Sequence, residues 1–125
     1  MLKVGGQTKI CIDLPNGIYE FDSLSGTGKT RLAKLLKELA VAGEPVMSYT
    51  YNDKVLGLDF DTVVKPGKQK LLVVDRYDLY RDEFNEQINK FAETGIVLID
   101  IKGGTKLQCD SCLLTMDKSI IKVER

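Results

Sequence analysis

The run of apolar and polar positions divides the chain into short strands and amphipathic helices. Lys9-Ile10-Cys11-Ile12-Asp13-Leu14 alternates with the two-residue period of a half-buried strand, and Pro15-Asn16-Gly17 supplies a turn. Ile18-Tyr19-Glu20-Phe21-Asp22 predicts a second strand that runs into a glycine-rich loop. After the loop, Leu32, Leu35, Leu36, Leu39 and Ala40 recur at helical spacing, with Lys34, Lys37 and Glu38 on the other face and Gly43 and Pro45 as stop signals. Val46 to Tyr51 reads as a strand. Two periods compete between Asp53 and Lys65: Leu56, Leu58 and Phe60 alternate, whereas Phe60, Val63 and Val64 have helical spacing, so that stretch is left unassigned. Lys70 to Asp75 contains a continuous apolar run, the pattern of a strand buried on both faces. Phe84, Ile88, Phe91 and Ala92 form a second helical stripe closed by Gly95, and Ile96 to Ile101 is another buried strand. Leu113 to Met116 and Ile120 to Val123, separated by Asp117-Lys118, predict a C-terminal β-hairpin. This order predicts an α/β sandwich on a mainly parallel central sheet.

Composition adds exclusions. The 125 residues carry no repeat, low-complexity stretch or linker, so residues 1–125 are expected to form a single compact domain. Eighteen basic residues balance eighteen acidic ones, which removes the broad positive field of a non-specific nucleic-acid binder. Lys65, Lys68 and Lys70 around Pro66-Gly67 read as a solvated turn. No apolar run approaches the ~20 residues of a membrane helix, and Met1 to Gly6 lacks the apolar region of a signal peptide, so a cytoplasmic protein is expected. Histidine is absent, so proton transfer rests on carboxylates, lysines, tyrosines or water. Cys109 and Cys112 have CxxC spacing, but only Cys11 remains as a further thiol; a complete zinc site needs four ligands, and packed free thiols are the expectation. Tyr49, Tyr51, Tyr77 and Tyr80 read as core or rim packing.

The segment with the most chemistry is Ser23-Leu24-Ser25-Gly26-Thr27-Gly28-Lys29-Thr30, between a predicted strand and a predicted helix. Phosphates are held by backbone N–H groups at a helix N-terminus, glycines let the chain curl around them, a lysine reaches the β/γ oxygens and an adjacent hydroxyl ligates Mg²⁺. Ser25, Gly26, Thr27, Gly28, Lys29 and Thr30 fit these roles, while Ser23 stands where the usual pattern has glycine. A magnesium-holding acid is expected at the end of a buried strand. Asp75 is favoured because it ends its apolar run, and Asp100, followed by Ile101, is the rival.

Gly17 through Leu36 resembles the Walker A region of the P-loop NTPase superfamily, in its ABC-type and AAA-type ATPases, and Leu71 to Asp75 looks like a Walker B strand. No ABC signature such as Leu-Ser-Gly-Gly-Gln is present. The resemblance implies a P-loop NTPase-like three-layer sandwich that binds a nucleoside triphosphate, ATP above others. It also implies Mg²⁺ as cofactor, held by Thr30 and Asp75, with Lys29 and Asp75 as the catalytic pair. Where many such ATPases place a water-activating glutamate after the aspartate, this chain has Arg76, which cannot accept a proton; Asp78, Glu83 and Asp100 are the candidates to replace it. Arg76 and Arg81 read more simply as surface residues pairing with Asp78 and Asp82. Two functions follow as expectations: a weak or partner-activated NTPase, or a non-hydrolysing nucleotide-binding or assembly protein. A homo-oligomer or protein partner stays open in both.

Overall fold

The computed structural model describes residues 1–6, 9–22, 28–117 and 119–125. Eight strands form one mixed sheet: β1 (Leu2–Val4), β2 (Lys9–Asp13), β3 (Gly17–Phe21), β4 (Val46–Tyr49), β5 (Leu71–Val74), β6 (Ile96–Ile99), β7 (Asp110–Asp117) and β8 (Ile120–Glu124). Among the described residues four α-helices accompany them: α1 (Gly28–Val41), α2 (Tyr51–Val55), α3 (Phe60–Val63) and α4 (Asn85–Ala92). A 3-10 turn spans Tyr77–Tyr80.

The strand order is β1-β2-β8-β7-β3-β6-β5-β4. From β7 to β4 each neighbouring pair is parallel, and β2 also runs parallel to β8, whereas β1–β2 and β7–β8 are antiparallel. The predicted C-terminal hairpin is present as β7 and β8, and both of its strands are built into the sheet. Its first strand pairs along β3, with Tyr19 opposite Asp110 and Phe21 opposite Cys112, and its second carries the β1–β2 ribbon. β7 fits there because Cys112 and Leu114 are buried on one face while the intervening positions are exposed.

β5 and β6 are buried at every position, and their side chains alternate between two cores. Leu71, Val73, Ile96 and Leu98 join Leu32, Ala33 and Leu36 of α1, whereas Leu72, Val74, Val97 and Ile99 join Ile88 and Phe91 of α4. Burial on both faces explains the unbroken apolar runs. α1 keeps its predicted stripe, and its end is set by Gly43 at φ +94°, a left-handed position suited to glycine. α4 ends at Ala92, and Gly95 beyond it is needed for space, because a Cβ there would lie 2.7 Å from the Phe91 ring and 3.1 Å from the Lys70 carbonyl oxygen. Ser48, wholly buried in β4, donates to the Ala33 carbonyl at 2.7 Å and so ties α1 to the sheet without an unpaired hydroxyl.

The unassigned stretch resolves into α2 and α3. Thr50 and Asp53 make a reciprocal capping box at the start of α2, and the nearly buried Asp53 carboxylate also pairs with Lys37 of α1. Tyr49, Tyr77 and Tyr80 are buried among rings, with Phe60 and Phe84 stacked at 4.3 Å, while Tyr51 lies at the rim. Lys65, Lys68 and Lys70 are all exposed.

Candidate functional site

The parallel strands β3, β5 and β6 all deliver their carboxyl ends to the same edge, where α1 begins. In open α/β sheets this edge, beside the point where successive connections diverge, is where ligands bind. Here α1 follows β3 toward the β4 edge of the sheet, while the connection after β6 crosses to β7 on the far side of β3. Residues Ser23 to Thr27, which include Ser25, Gly26 and Thr27 of the expected phosphate loop, lie outside the described residues. Of the expected loop, Gly28, Lys29 and Thr30 form the first turn of α1.

Lys29 Nζ sits 2.9 Å from Asp100 Oδ1, with side chains only 20% and 10% exposed. Asp100 directly follows β6, which stops at Ile99 and not at Ile101 as its apolar run suggests. The reason is visible in the backbone: Asp100 donates its N–H to the Val74 carbonyl at 3.1 Å and its own carbonyl accepts the Tyr77 N–H at 2.7 Å. Asp75 directly follows β5, and its N–H donates to the Tyr49 carbonyl at 3.3 Å. The strand-end argument that ranks Asp75 above Asp100 therefore applies to both. The register that pairs Val74 with Ile99 sets them side by side, and Asp100 is the one that meets Lys29.

Burial holds the Asp75 carboxyl above the ordinary carboxylate range, and the charge and hydrogen bond of Asp100 push it further; Arg76 and Lys29 oppose this weakly. Two cavities flank the pair. One of about 630 Å³ is lined by Asp22, Lys29, Asp100, Lys102 and Ser111 among others. A smaller one of about 220 Å³ brings Thr30, Lys34, Thr50 and Asp75 together. A hard divalent cation takes oxygen donors and keeps several waters, needing only one or two protein groups. The Thr30 hydroxyl and the Asp75 carboxylate share a cavity, so the donor set fits such an ion. A larger cavity of about 690 Å³ lies between α3 and α4, lined by Phe60, Val64, Glu86 and Lys90 among others. Size alone favours it, but its charged groups are solvated, whereas the strand-end site holds buried charges that a ligand can compensate.

The other candidate acids are committed elsewhere. Arg76 forks onto Asp78 through Nε at 3.0 Å and Nη2 at 2.9 Å, which lowers the Asp78 carboxyl, and Glu83 pairs with Lys54. The expected pairing of an arginine with Asp82 gives way to a different role. Asp82 accepts from Thr105 Oγ1 at 2.6 Å, the Lys106 N–H at 2.9 Å and Asn85 Nδ2 at 3.0 Å. Together with the Lys102 N–H on Asp78 at 3.3 Å, this clamps the connection after β6 onto the segment after β5. Sequence reasoning has no signal for that clamp, because its partners are 23 and 24 residues apart.

Cys112 is buried in β7 and Cys109 is half-buried just before it, both free thiols. Burial pushes the Cys112 thiol up to about 12 and raises Cys109 as well, the behaviour of packed sulfur and not of an activated nucleophile. Among the described residues no helix is long and apolar enough to cross a membrane. Comparison with protein-family models, curated proteins and solved structures finds no match to this chain.

Proposed function

We propose that this chain binds the phosphates of a nucleoside triphosphate, ATP above others, together with Mg²⁺, through residues 23–30 and the strand ends beside Lys29. The observation that carries the reading is the meeting of Lys29, in the first turn of α1, with Asp75 and Asp100 at the ends of adjacent parallel strands. The parallel run from β7 to β4, with α1 and α4 buried in separate cores, supports a P-loop sandwich as the architecture of this part of the sheet. α1 has no acidic residue in its first turn, so nothing there offsets the favourable field of its N-terminus for an anion.

In this reading Lys29 brings its ammonium to the β/γ oxygens, and Thr30 and Asp75 hold the magnesium. The metal, when bound, supplies charge stabilisation at the phosphoryl oxygens. Asp100 holds Lys29 in the free protein, and Asp78 and Glu83 are held by Arg76 and Lys54. The alternative, a nucleotide-binding assembly protein that does not turn over its ligand, is favoured by one observation. The position after Asp75 holds Arg76 in a left-handed conformation at φ 51°, its guanidinium spent on Asp78. Titration with a fluorescent ATP analogue and Mg²⁺ tests the common core of both readings. Lys29→Ala should weaken binding at least tenfold, about 1.4 kcal/mol, with the fold intact by circular dichroism. Equal affinities, or no binding at millimolar nucleotide, contradict it.

A further inference from the structure

The Lys29 ammonium is already engaged. It lies 2.9 Å from Asp100 Oδ1 in a setting where both side chains are largely withdrawn from water. The two partners differ in freedom. Asp100 is pinned on both sides of its Cα, by its N–H on the Val74 carbonyl and by the Tyr77 N–H on its own carbonyl. Lys29 carries its charge on a flexible four-carbon stem. Lys29 can swing toward a phosphate, whereas the backbone that carries Asp100 is fixed. The departure of Lys29 leaves the Asp75 and Asp100 carboxyls side by side, facing an incoming anion of the same sign.

We propose that the Lys29–Asp100 ion pair is a latch that a polyphosphate must open, and that Asp100 thereby makes the site discriminate against polyphosphates carrying no divalent cation. The inference rests on the phosphate-binding reading above. A bare polyphosphate breaks the ion pair and then meets two adjacent carboxyl groups, with the neighbouring Arg76 already bonded to Asp78. A polyphosphate that brings a divalent cation relieves the second penalty, because the cation neutralises the carboxyl pair. Asp100 is in this sense a specificity-determining residue, acting through the position of Lys29.

Isothermal titration with sodium tripolyphosphate, in EDTA and in excess Mg²⁺, tests this on the full chain. Asp100→Asn removes the competing charge and should bind metal-free tripolyphosphate at least fivefold tighter than wild type, shrinking the advantage conferred by Mg²⁺. Asp100→Glu keeps the charge and should retain the wild-type preference. Metal-free binding that is unchanged or weaker in a folded Asp100→Asn overturns the latch while leaving the phosphate site standing. No binding by any form in either condition overturns the phosphate site and the latch with it. A measurement on wild type needs no variant to fold: the carboxyl-carbon resonance of Asp100 should move as tripolyphosphate saturates the protein. Saturation with that resonance unmoved overturns the proposal.

Discussion

Two carboxylates and one ammonium share the strand ends, and Asp75 is the member with least compensation. Its burial and the neighbouring Asp100 raise its carboxyl in the folded chain relative to the unfolded one. The folded chain therefore holds that proton longer, and the contribution of Asp75 to stability falls as pH rises above the ordinary carboxylate range. Asp75→Asn should accordingly stabilise the free protein at pH 7 while removing Mg²⁺-dependent binding, a trade seen where function keeps an unfavourable group in place. Urea unfolding at pH 4 and pH 7 checks this: the gain should be larger at pH 7, and a variant less stable than wild type at pH 7 contradicts it. Lys29 and Asp75 are legible in the sequence because local spacing encodes them. Asp100 is legible too, but only as the rival of Asp75, since Ile101 after it imitates a continuing strand; its pairing with Lys29 depends on contacts between distant segments.

At the level of elements, α1 carries both the candidate site and much of one core. Leu32 and Leu36 are fully buried against β4, β5 and β6, whereas Val41 near the helix end is 91% exposed. Leu36→Ala should destabilise by about 2–5 kcal/mol through lost burial and a residual cavity, and Val41→Ala by less than about 0.5 kcal/mol. Equal shifts in the denaturation midpoints of the two variants would mean that α1 does not pack as described. Long stripes such as that of α1 were readable because many positions repeat the same period. The stretch after Tyr49 was not, although its Thr50-x-x-Asp53 cap was present as a signal, because α2 and α3 are too short for a period to emerge. β1 escaped for the same reason, being three residues that gain their place only by pairing with β2 at the sheet edge.

For the whole molecule, the strand order is the least legible property, because it depends on pairings between distant segments. Nothing local in Asp110 to Asp117 says that this strand lies beside β3 and joins two parts of one sheet. That placement nonetheless closes the candidate site, since Ser111 of β7 and Asp22 after β3 line the same cavity as Lys29. The turnover expected of this arrangement is slow. General-base assistance is worth ~10²–10⁴-fold, and with Arg76 committed to Asp78 the isolated chain should release phosphate well below ~1 s⁻¹. A rate that climbs more than linearly with protein concentration would show a second copy or partner supplying the missing group. A Lys29-dependent rate above ~1 s⁻¹ from dilute protein contradicts the assignment and directs mutation first to Asp100.

Nucleotide phosphates are proposed to bind where α1 meets the ends of β5 and β6. Backbone and side-chain NMR spectra of the wild-type chain, recorded during titration with Mg²⁺ and ATP, test it most directly. The account predicts saturable shifts that are largest at Gly28 to Arg31, Asp75 and Asp100, with Phe60, Val64 and Lys90 in the larger groove unchanged. Shifts confined to that groove, or none at millimolar Mg²⁺ and ATP, would contradict it.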